Sequence, residues 1–293
     1  MADYIQLWKT WTELDKYKLP NTQKQLQGYS IAGLRTNYFI QPDLMLDAGI
    51  SSPFSPKFIF ITHGHSDHIA NLPFHLYGRQ GGANENVLIF CPKEIATLIQ
   101  NYIVSMYQLT SCDDQMVPTG YEIVGVDSST APVRLTIGGE PHEVAFFQCD
   151  HSVPCVGYGF SLIKRKLKPE CVGLSGNDLK RLKGEGVDIT DEHIAHELFF
   201  SGDTTHRVLD NYPAILNYRN ILIECSFLDP EDVVRAEEKK HMCWTHLERY
   251  VTEHPDVQWI LSHFSQKYKK QYVNDFFEAQ KLSNVKLWNN LHS

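Results

Sequence analysis

Short apolar runs rich in β-branched and aromatic residues recur along the chain and predict buried strands. They lie at residues 37–40, 57–62, 87–90, 143–148, 197–201, 220–224 and 257–262. Apolar positions at helical spacing predict helices over residues 92–109, 229–240, 245–253 and 266–279. Because strands alternate with helices in the second half, the pattern predicts an α/β fold in which helices cover sheets.

Potential metal ligands follow four of these strands directly. The run FIFIT precedes His63, EVAFFQCD precedes His151, ELFFSG precedes Asp203, and VQWILS precedes His263. In layered sheets, the loops beyond the strand ends bring distant parts of the chain to one site. We therefore expect these four side chains to meet at one edge of the fold.

The strongest local motif is the segment HGHSDH at residues 63–68, with four potential ligands in six residues: His63, His65, Asp67 and His68. Imidazole and carboxylate groups suit Zn²⁺ and related divalent ions. Solvated turns usually favour Gly, Asn and Asp over three histidines. Taken alone, His151 and His263 would be structural histidines, and Asp203 a helix cap. Beside the first motif, the ligand interpretation is favoured.

Together these residues supply enough ligands for two metal ions. The seven candidates are His63, His65, Asp67, His68, His151, Asp203 and His263. They suffice for two four- or five-coordinate ions if Asp203 bridges them and a water fills the gap. We expect two divalent ions per chain, first of all Zn²⁺, with Mn²⁺ as the alternative. The sequence thus predicts a two-metal hydrolase.

The motif His63-x-His65-x-Asp67-His68, followed by His151, Asp203 and His263, resembles the metallo-β-lactamase superfamily. This resemblance implies an αβ/βα sandwich of two mixed β-sheets flanked by helices, with residues 1–293 as a single domain. Asp47-Ala-Gly49 resembles an early block of the superfamily, and we interpret Asp47 as structural. Because superfamily members hydrolyse many kinds of substrate, other residues must identify the reaction.

Four later segments resemble the short-form enzymes of the tRNase Z family. Enzymes of this family are endonucleases that remove 3′ trailers from precursor tRNA. They are residues 164–191, FSGDTT at 200–205, IECSFLD at 223–229 and LSHFSQKY at 261–268. The resemblance covers about residues 25 to 280, and the first twenty or so residues of the chain have no counterpart in it. It implies that Asp67 accepts a proton from the attacking water and that a histidine upstream of His263 protonates the leaving 3′ oxygen.

Two histidines compete for this acid role, His241 and His246. His241 lies 22 residues before His263, the offset that the family resemblance implies. The segment Thr245-His-Leu-Glu248 predicts a capping box that opens a helix, which leaves His241 in the preceding loop. We assign the acid to His241, although the bulky residues after it depart from the family. Glu224 is a candidate to orient His241; a buried structural carboxylate is the alternative.

Charge along the chain is uneven. The net charge is −8, which argues against a partner held mainly by phosphate attraction. Residues 164–183 nevertheless carry a net charge of +5, from Lys164, Arg165, Lys166, Lys168, Lys180, Arg181 and Lys183. A solvated loop is one interpretation. The tRNase Z resemblance implies the other, a short basic arm at about residues 164–190 that binds the tRNA elbow. Arg35 is a further candidate for phosphate contact, or a plain surface residue.

The sequence therefore predicts a metal-dependent endoribonuclease acting on precursor tRNA, and the family resemblance implies a homodimer. The alternative is a β-lactamase-like or thioesterase-type metallohydrolase, against which the basic segment and Asp203 argue. A non-enzymatic RNA-binding member would be expected to lack ligands, and none is missing.

Composition and the absence of targeting signals indicate where in the cell the protein is expected. Hydrophobic residues make up 42% of the chain and charged residues 21%, which is typical of a folded protein. The chain contains no C-x-x-C pair and no apolar run long enough to span a bilayer, and its N-terminus lacks the apolar core of a signal peptide. We expect no membrane association and a cytoplasmic location, with the nucleus as the alternative.

Overall fold

The computed structural model describes residues 16–77 and 86–292, together with Trp11, Glu13 and Leu14. Its strands form two seven-stranded sheets. The first sheet has the order β1 (Lys16–Lys18), β2 (Gln25–Ile31), β3 (Arg35–Ile40), β4 (Leu44–Leu46), β5 (Phe58–Phe60), β6 (Val87–Pro92) and β7 (Tyr121–Val126). The second contains β8 (Val133–Ile137), β9 (Glu140–Gln148), β10 (Val156–Leu167), β11 (Thr190–Phe200), β12 (Asn220–Glu224), β13 (Gln258–Ser262) and β14 (Val285–Leu287), each beside the next.

The two sheets share one pairing plan. In the first, β1 to β4 pair antiparallel and β4 to β7 pair parallel. In the second, β8 to β11 pair antiparallel and β11 to β14 pair parallel. Both sheets are therefore mixed, as the family resemblance implied. Parallel pairing also requires crossover connections, and these carry most of the helices.

The described helices lie mainly on the outer faces of the sheets. Their bounds are α1 (Ser66–Ile69), α2 (Phe74–Tyr77), α3 (Ala96–Ser111), α4 (Gly176–Gly184), α5 (Arg207–Asn211), α6 (Val233–Lys239), α7 (Trp244–Glu253) and α8 (Lys270–Gln280). Short 3₁₀ turns occur at Lys93–Ile95, Pro169–Cys171, Pro213–Asn217 and Pro230–Asp232. None of these helices is long and apolar enough to cross a membrane.

Side chains alternate between two cores along the central strands. Phe58 and Phe60 pack in the core between the sheets, whereas Ile59 and Ile61 pack with α3 on the outer face. Leu222 likewise faces the other sheet, and its neighbours on β12 pack with α7 and α8. Because both faces of these strands are covered, their sequences are continuously apolar. The predicted sandwich of two sheets flanked by helices is confirmed.

Several strands whose sequences mix polar and apolar residues were not predicted. They include β2, β8 and β10, and β10 is the longest strand described, with twelve residues. A Cβ atom at Gly159 in β10 would lie 2.1 Å from the Tyr218 hydroxyl, so glycine is required there by close packing rather than by a turn. Glycines and a basic end concealed this strand from pattern analysis.

One prediction about a helix start is wrong, and one alternative interpretation is excluded. Helix α7 begins at Trp244 with Cys243 as its N-cap and without a side-chain capping bond, so Thr245 lies inside the helix and forms no capping box. Asp203 does not cap the following helix, because α5 has His206 at its N-cap. Trp244, the first residue of α7, and Met242 just before it are both buried.

All seven cysteines lie within the described residues and are free, and six of them are buried. They therefore form no disulfide bond in this structure. Residues 1–10, on which the expectation about a signal peptide mainly rests, lie outside the described residues.

Candidate metal centre

The candidate ligands come from four separate segments that follow strands. His63 and His65 lie in the loop after β5, and Asp67 and His68 lie in the short helix α1 that follows it. His151, Asp203 and His263 follow β9, β11 and β13. The structure brings all seven side chains together at one edge of the sandwich, the arrangement that the strand-end pattern predicted.

The first cluster contains His63, His65, His151 and Asp203. Their ligand atoms all lie within 4.8 Å of one another. His151 Nε2 is 3.2 Å from His65 Nδ1, and Asp203 Oδ2 is 3.7 Å from His63 Nε2 and 3.9 Å from His151 Nε2. Three imidazoles and one carboxylate oxygen at these separations could hold a divalent metal ion.

The second cluster contains Asp67, His68 and His263, again with ligand atoms within 4.8 Å of one another. His68 Nε2 and His263 Nε2 are 3.3 Å apart, and Asp67 Oδ2 lies 3.6 and 3.5 Å from them. Asp203 Oδ1 is 3.4 Å from His68 Nε2 and 3.5 Å from His263 Nε2. Because each oxygen of Asp203 faces a different cluster, this carboxylate lies where a bridging ligand would.

The electrostatics of the centre fit bound cations. His63 Nε2 and Asp203 Oδ1 are buried and have no hydrogen-bond partner among the described residues. Each such unsatisfied atom costs about 1–3 kcal/mol, and a metal ion would satisfy both. Burial by itself lowers the pKa of His68, but the carboxylates of Asp203 and Asp47 outweigh it and raise that pKa to about 10. The centre therefore favours positive charge at this point.

Asp47 and Gly49 hold the ligand-bearing segment in place. His68 Nδ1 donates to Asp47 Oδ2 at 2.7 Å, which leaves His68 Nε2 free to face the second cluster. The same carboxylate accepts hydrogen bonds from the Thr62 amide and hydroxyl. A Cβ atom at Gly49 would lie 1.7 Å from the Asp67 carbonyl oxygen, so only glycine fits there. A carboxylate behind a ligating histidine fixes the tautomer and the orientation of the ring.

Further contacts orient the other ligands, and sequence reasoning missed them. His151 Nδ1 donates to the Lys240 carbonyl oxygen at 2.9 Å, and His263 Nδ1 lies 3.1 Å from Ser226 Oγ. The Gly33 amide donates to Asp67 Oδ2 at 2.9 Å. A glycine just before a predicted strand was a weak signal for this contact. The other two partners carry no recognisable sequence signal, because any residue has a carbonyl group and serine is common.

His241 lies beside both clusters in the loop between α6 and α7. Its Nδ1 donates to Glu224 Oε1 at 2.9 Å, and Glu224 is held in turn by the Thr204 amide and the Ser226 hydroxyl. Burial lowers the pKa of His241, but the adjacent Glu224 carboxylate, with Asp203, reverses this and raises it to about 9. The ring is therefore protonated at neutral pH, and its side chain is 20% exposed.

The competing candidate His246 lies elsewhere, beside His206 and Glu237, and belongs to neither cluster of the metal centre. The His241 ring, by contrast, is 5.1 Å from the His151 ring and 5.7 Å from the His263 ring, measured between centroids. Only His241 of the two is thus placed beside the candidate ligands.

The basic segment forms a hairpin with a helical tip. Strands β10 and β11 remain paired to Leu167 and Thr190, and the residues between them form the Pro169–Cys171 turn and helix α4. Ser175 caps α4 by accepting from the Asp178 amide, and Lys180, Arg181 and Lys183 lie on this helix. All the basic residues predicted for the arm are exposed except Lys168, which is half-buried.

Ion pairs within the arm change its effective charge. Arg165 pairs with Asp188 at 3.1 Å, and Arg181 pairs with Glu185 at 3.0 Å. Lys164 and Lys166 lie on the opposite face of β10 from Arg165, because side chains alternate along a strand. Within the described part of the chain, neither lysine forms an ion pair. The cationic surface of the hairpin is therefore narrower than the sequence indicated.

Arg35 is exposed at the start of β3. Its position gives no further indication of a role in phosphate binding.

Comparisons with known proteins identify the family. No family model matches the chain. The tRNase Z TRZ1 of Arabidopsis thaliana is 30% identical over 267 residues, which cover 87% of this chain and 92% of that protein. The metallo-β-lactamase fold protein YhfI from Bacillus subtilis superposes with a TM-score of 0.59 at 14% identity, covering 90% of this chain and 96% of that one. Human tRNase Z, short form, gives a TM-score of 0.55 at 16% identity, covering 90% and 95%.

The two solved structures establish the metallo-β-lactamase fold, and the plant relative establishes the kinship. This chain belongs to the tRNase Z family.

Proposed function

We propose that this chain is a metal-dependent endoribonuclease that removes 3′ trailers from precursor tRNA by hydrolysing one phosphodiester bond. The observation that carries the proposal is the meeting of seven candidate ligands around Asp203 in a chain of the tRNase Z family. Such a centre suits hydrolysis of a phosphodiester, because paired divalent ions stabilise both the attacking and the leaving oxygen.

We assign two divalent ions to the centre, first of all Zn²⁺, with Mn²⁺ as the alternative. His63, His65 and His151 would hold one ion, Asp67, His68 and His263 the other, and Asp203 both. When bound, such ions bring the pKa of a water close to neutrality and act as Lewis acids. The imidazole-rich donor set favours zinc over magnesium or calcium, which prefer oxygen ligands.

The protein's own groups would then move the protons. Asp67 accepts a proton from the attacking water, and the Gly33 amide holds its carboxylate in position. His241 gives a proton from Nε2 to the leaving 3′ oxygen, so that the tRNA ends in a 3′-hydroxyl and the trailer keeps the phosphate. Glu224 positions His241 by accepting from Nδ1, which leaves Nε2 to face the substrate. An acid with a raised pKa is charged before the reaction and can deliver its proton to an alkoxide.

The arm of residues 164–190 would contact the RNA backbone away from the bond that is cut. Exposed Lys164, Lys166, Lys180 and Lys183 are the strongest candidates, because no acidic partner competes for them within the described part of the chain. Arg165, Lys168 and Arg181 would contribute less, since two are paired and one is half-buried. We also expect a homodimer in the cytoplasm or the nucleus, as the sequence analysis indicated.

Incubation of the purified protein with a precursor tRNA labelled at its 5′ end tests the proposal. We expect cleavage directly after the discriminator base, leaving a 3′-hydroxyl, that a chelator abolishes and added Zn²⁺ restores. A precursor with a trailer joined through a phosphorothioate bond at the cleavage site is the matched control. Absence of cleavage by protein shown to contain metal would contradict the proposal and would favour a small-molecule hydrolase.

A further inference from the structure

A third group of potential metal ligands lies outside the candidate metal centre. It consists of His206, Glu237 and His246, which are all half-buried and offer ligand atoms within 4.8 Å of one another. His206 is the N-cap of α5, Glu237 lies in α6, and His246 lies in the first turn of α7. The group shares no residue with the two clusters around Asp203.

The spacing of these atoms matches that of metal ligands. Glu237 Oε1 is 3.7 Å from His206 Nδ1 and 3.6 Å from His246 Nδ1, and the two rings are 4.3 Å apart between centroids. These separations are too long for hydrogen bonds. Ligands with bonds of about 2.0–2.1 Å to a tetrahedral zinc lie about 3.4 Å apart. In the candidate metal centre, the corresponding separations range from 3.2 to 3.9 Å.

The remaining atoms of the group have partners that would support bound metal. Arg207 pairs with Glu237 Oε2 at 2.6 Å, so that Oε1 is left to face the two rings. His206 Nε2 lies 3.7 Å from Asp210 Oδ2, so that this carboxylate attracts a positive charge at the ring without forming a hydrogen bond to it. His206 Nδ1 is buried and has no hydrogen-bond partner among the described residues. That atom therefore lacks the partner that a metal ion would provide.

We propose that His206, Glu237 and His246 bind a divalent transition-metal ion of the zinc class at a site separate from the catalytic centre. Three protein ligands leave a fourth position for water. The ion links α5, α6 and α7, and His241 lies in the loop between the last two of these helices. The site thus fastens the segment that carries the proposed catalytic acid.

Equilibrium dialysis of the full chain against one fixed free Zn²⁺ concentration, followed by elemental analysis, tests the site. We expect His206→Ala, His246→Ala and Glu237→Gln each to bind one zinc equivalent per chain less than the unaltered protein. His193→Ala, which removes an exposed histidine of β11, is the matched control and should bind the full number. Equal zinc content in all these proteins would overturn the proposal.

A second measurement guards against indirect loss of zinc from the catalytic centre. In Asp203→Ala protein, added His246→Ala should still remove one equivalent, because the two sites share no ligand. If it removes none, the proposal is wrong, whatever the outcome of the precursor cleavage assay. Glu237→Gln keeps the side-chain size, and its circular dichroism spectrum should match that of the unaltered protein. If Glu237→Gln is folded and retains every zinc equivalent, Glu237 is not a ligand and the proposal fails.

Discussion

The candidate metal centre and the basic arm lie at opposite ends of the same two strands. His151 precedes β10 and Asp203 follows β11, whereas the arm leaves these strands at Leu167 and Thr190. At the first end, the side chains are largely buried, and three of the candidate ligand rings are held from behind by a hydrogen-bond contact at Nδ1. At the other end, the lysines are exposed. Hydrolysis needs ligands at fixed separations, whereas contact with phosphates tolerates mobile, solvated charges.

The length of β10 separates the two regions electrostatically. Twelve residues at a rise of about 3.3 Å place its ends roughly 35 Å apart. This is several times the screening length of about 8 Å at physiological ionic strength. Changes in the arm should therefore leave the chemistry at the metal centre unaltered, and changes at the centre should leave RNA binding by the arm unaltered.

The largest expected effect is that of Asp67→Ala, which removes a proposed ligand and the proposed base together. Loss of a general base alone lowers kcat by about 10²–10⁴-fold. We expect at least this loss on precursor tRNA and equally on a small phosphodiester such as bis(p-nitrophenyl) phosphate, because both need the same centre. Asp256→Ala, at an exposed position, is the control. Retained turnover of either substrate would contradict the role of Asp67.

His241→Ala should lower kcat on precursor tRNA by about 10²–10⁴-fold while metal content stays normal. A substrate with a good leaving group, such as bis(p-nitrophenyl) phosphate, needs no acid and should lose much less. Elemental analysis of the same preparation decides between acid and ligand. If His241→Ala loses metal, His241 belongs to the ligand set that it adjoins, together with Asp203 and His263.

Asp47→Asn keeps the shape of the side chain but removes the charge that His68 Nδ1 contacts. Loss of such an outer partner typically costs about 10–100-fold in metal affinity or activity. We therefore expect weaker zinc binding in a competition titration and partial recovery of activity when zinc is added. Activity that is low at every zinc concentration, in a protein with a full complement of metal, would show that Asp47 does not act through the metal site.

The smallest expected effect is that of reversing charges in the arm. Lys164→Glu with Lys166→Glu should raise KM for precursor tRNA and reduce the slope of log affinity against log salt by about 1 for each lost phosphate contact. Turnover of the small phosphodiester should not change. Arg165→Glu is the matched comparison and should do less, because Asp188 already neutralises Arg165. Equal losses on both substrates would show that the arm changes act on the fold rather than on RNA binding.

Much of the centre could be predicted because its strongest signal is local. Four candidate ligands lie within the six residues 63–68, so their type and spacing are visible without any fold. The strand ends before His151, Asp203 and His263 were also visible, because buried central strands are continuously apolar. The contact between Asp47 and His68 was not, since the Asp-x-Gly block indicated only a structural role.

The arm was predicted less well for the opposite physical reason. Its charge is a property of composition, and composition does not reveal which charges are paired. Arg165 forms an ion pair with Asp188 across the hairpin, and Arg181 forms one with Glu185, four residues later in the chain. Strand β10 itself was missed, because its half-polar sequence follows neither the strand pattern of a buried sheet nor that of a helix.

The sequence by itself determined the kind of chemistry, since residue types and spacings such as those of residues 63–68 state which donors are available. Tertiary structure alone decided how those donors are used. In the folded chain, each oxygen of Asp203 faces a different cluster of candidate ligands. Glu224 accepts a hydrogen bond from His241, and His246 lies beside His206 and Glu237. The physical reason is that hydrogen bonds and metal coordination depend on separations of a few ångströms between residues far apart in the chain. Only the packing of the two sheets fixes those separations.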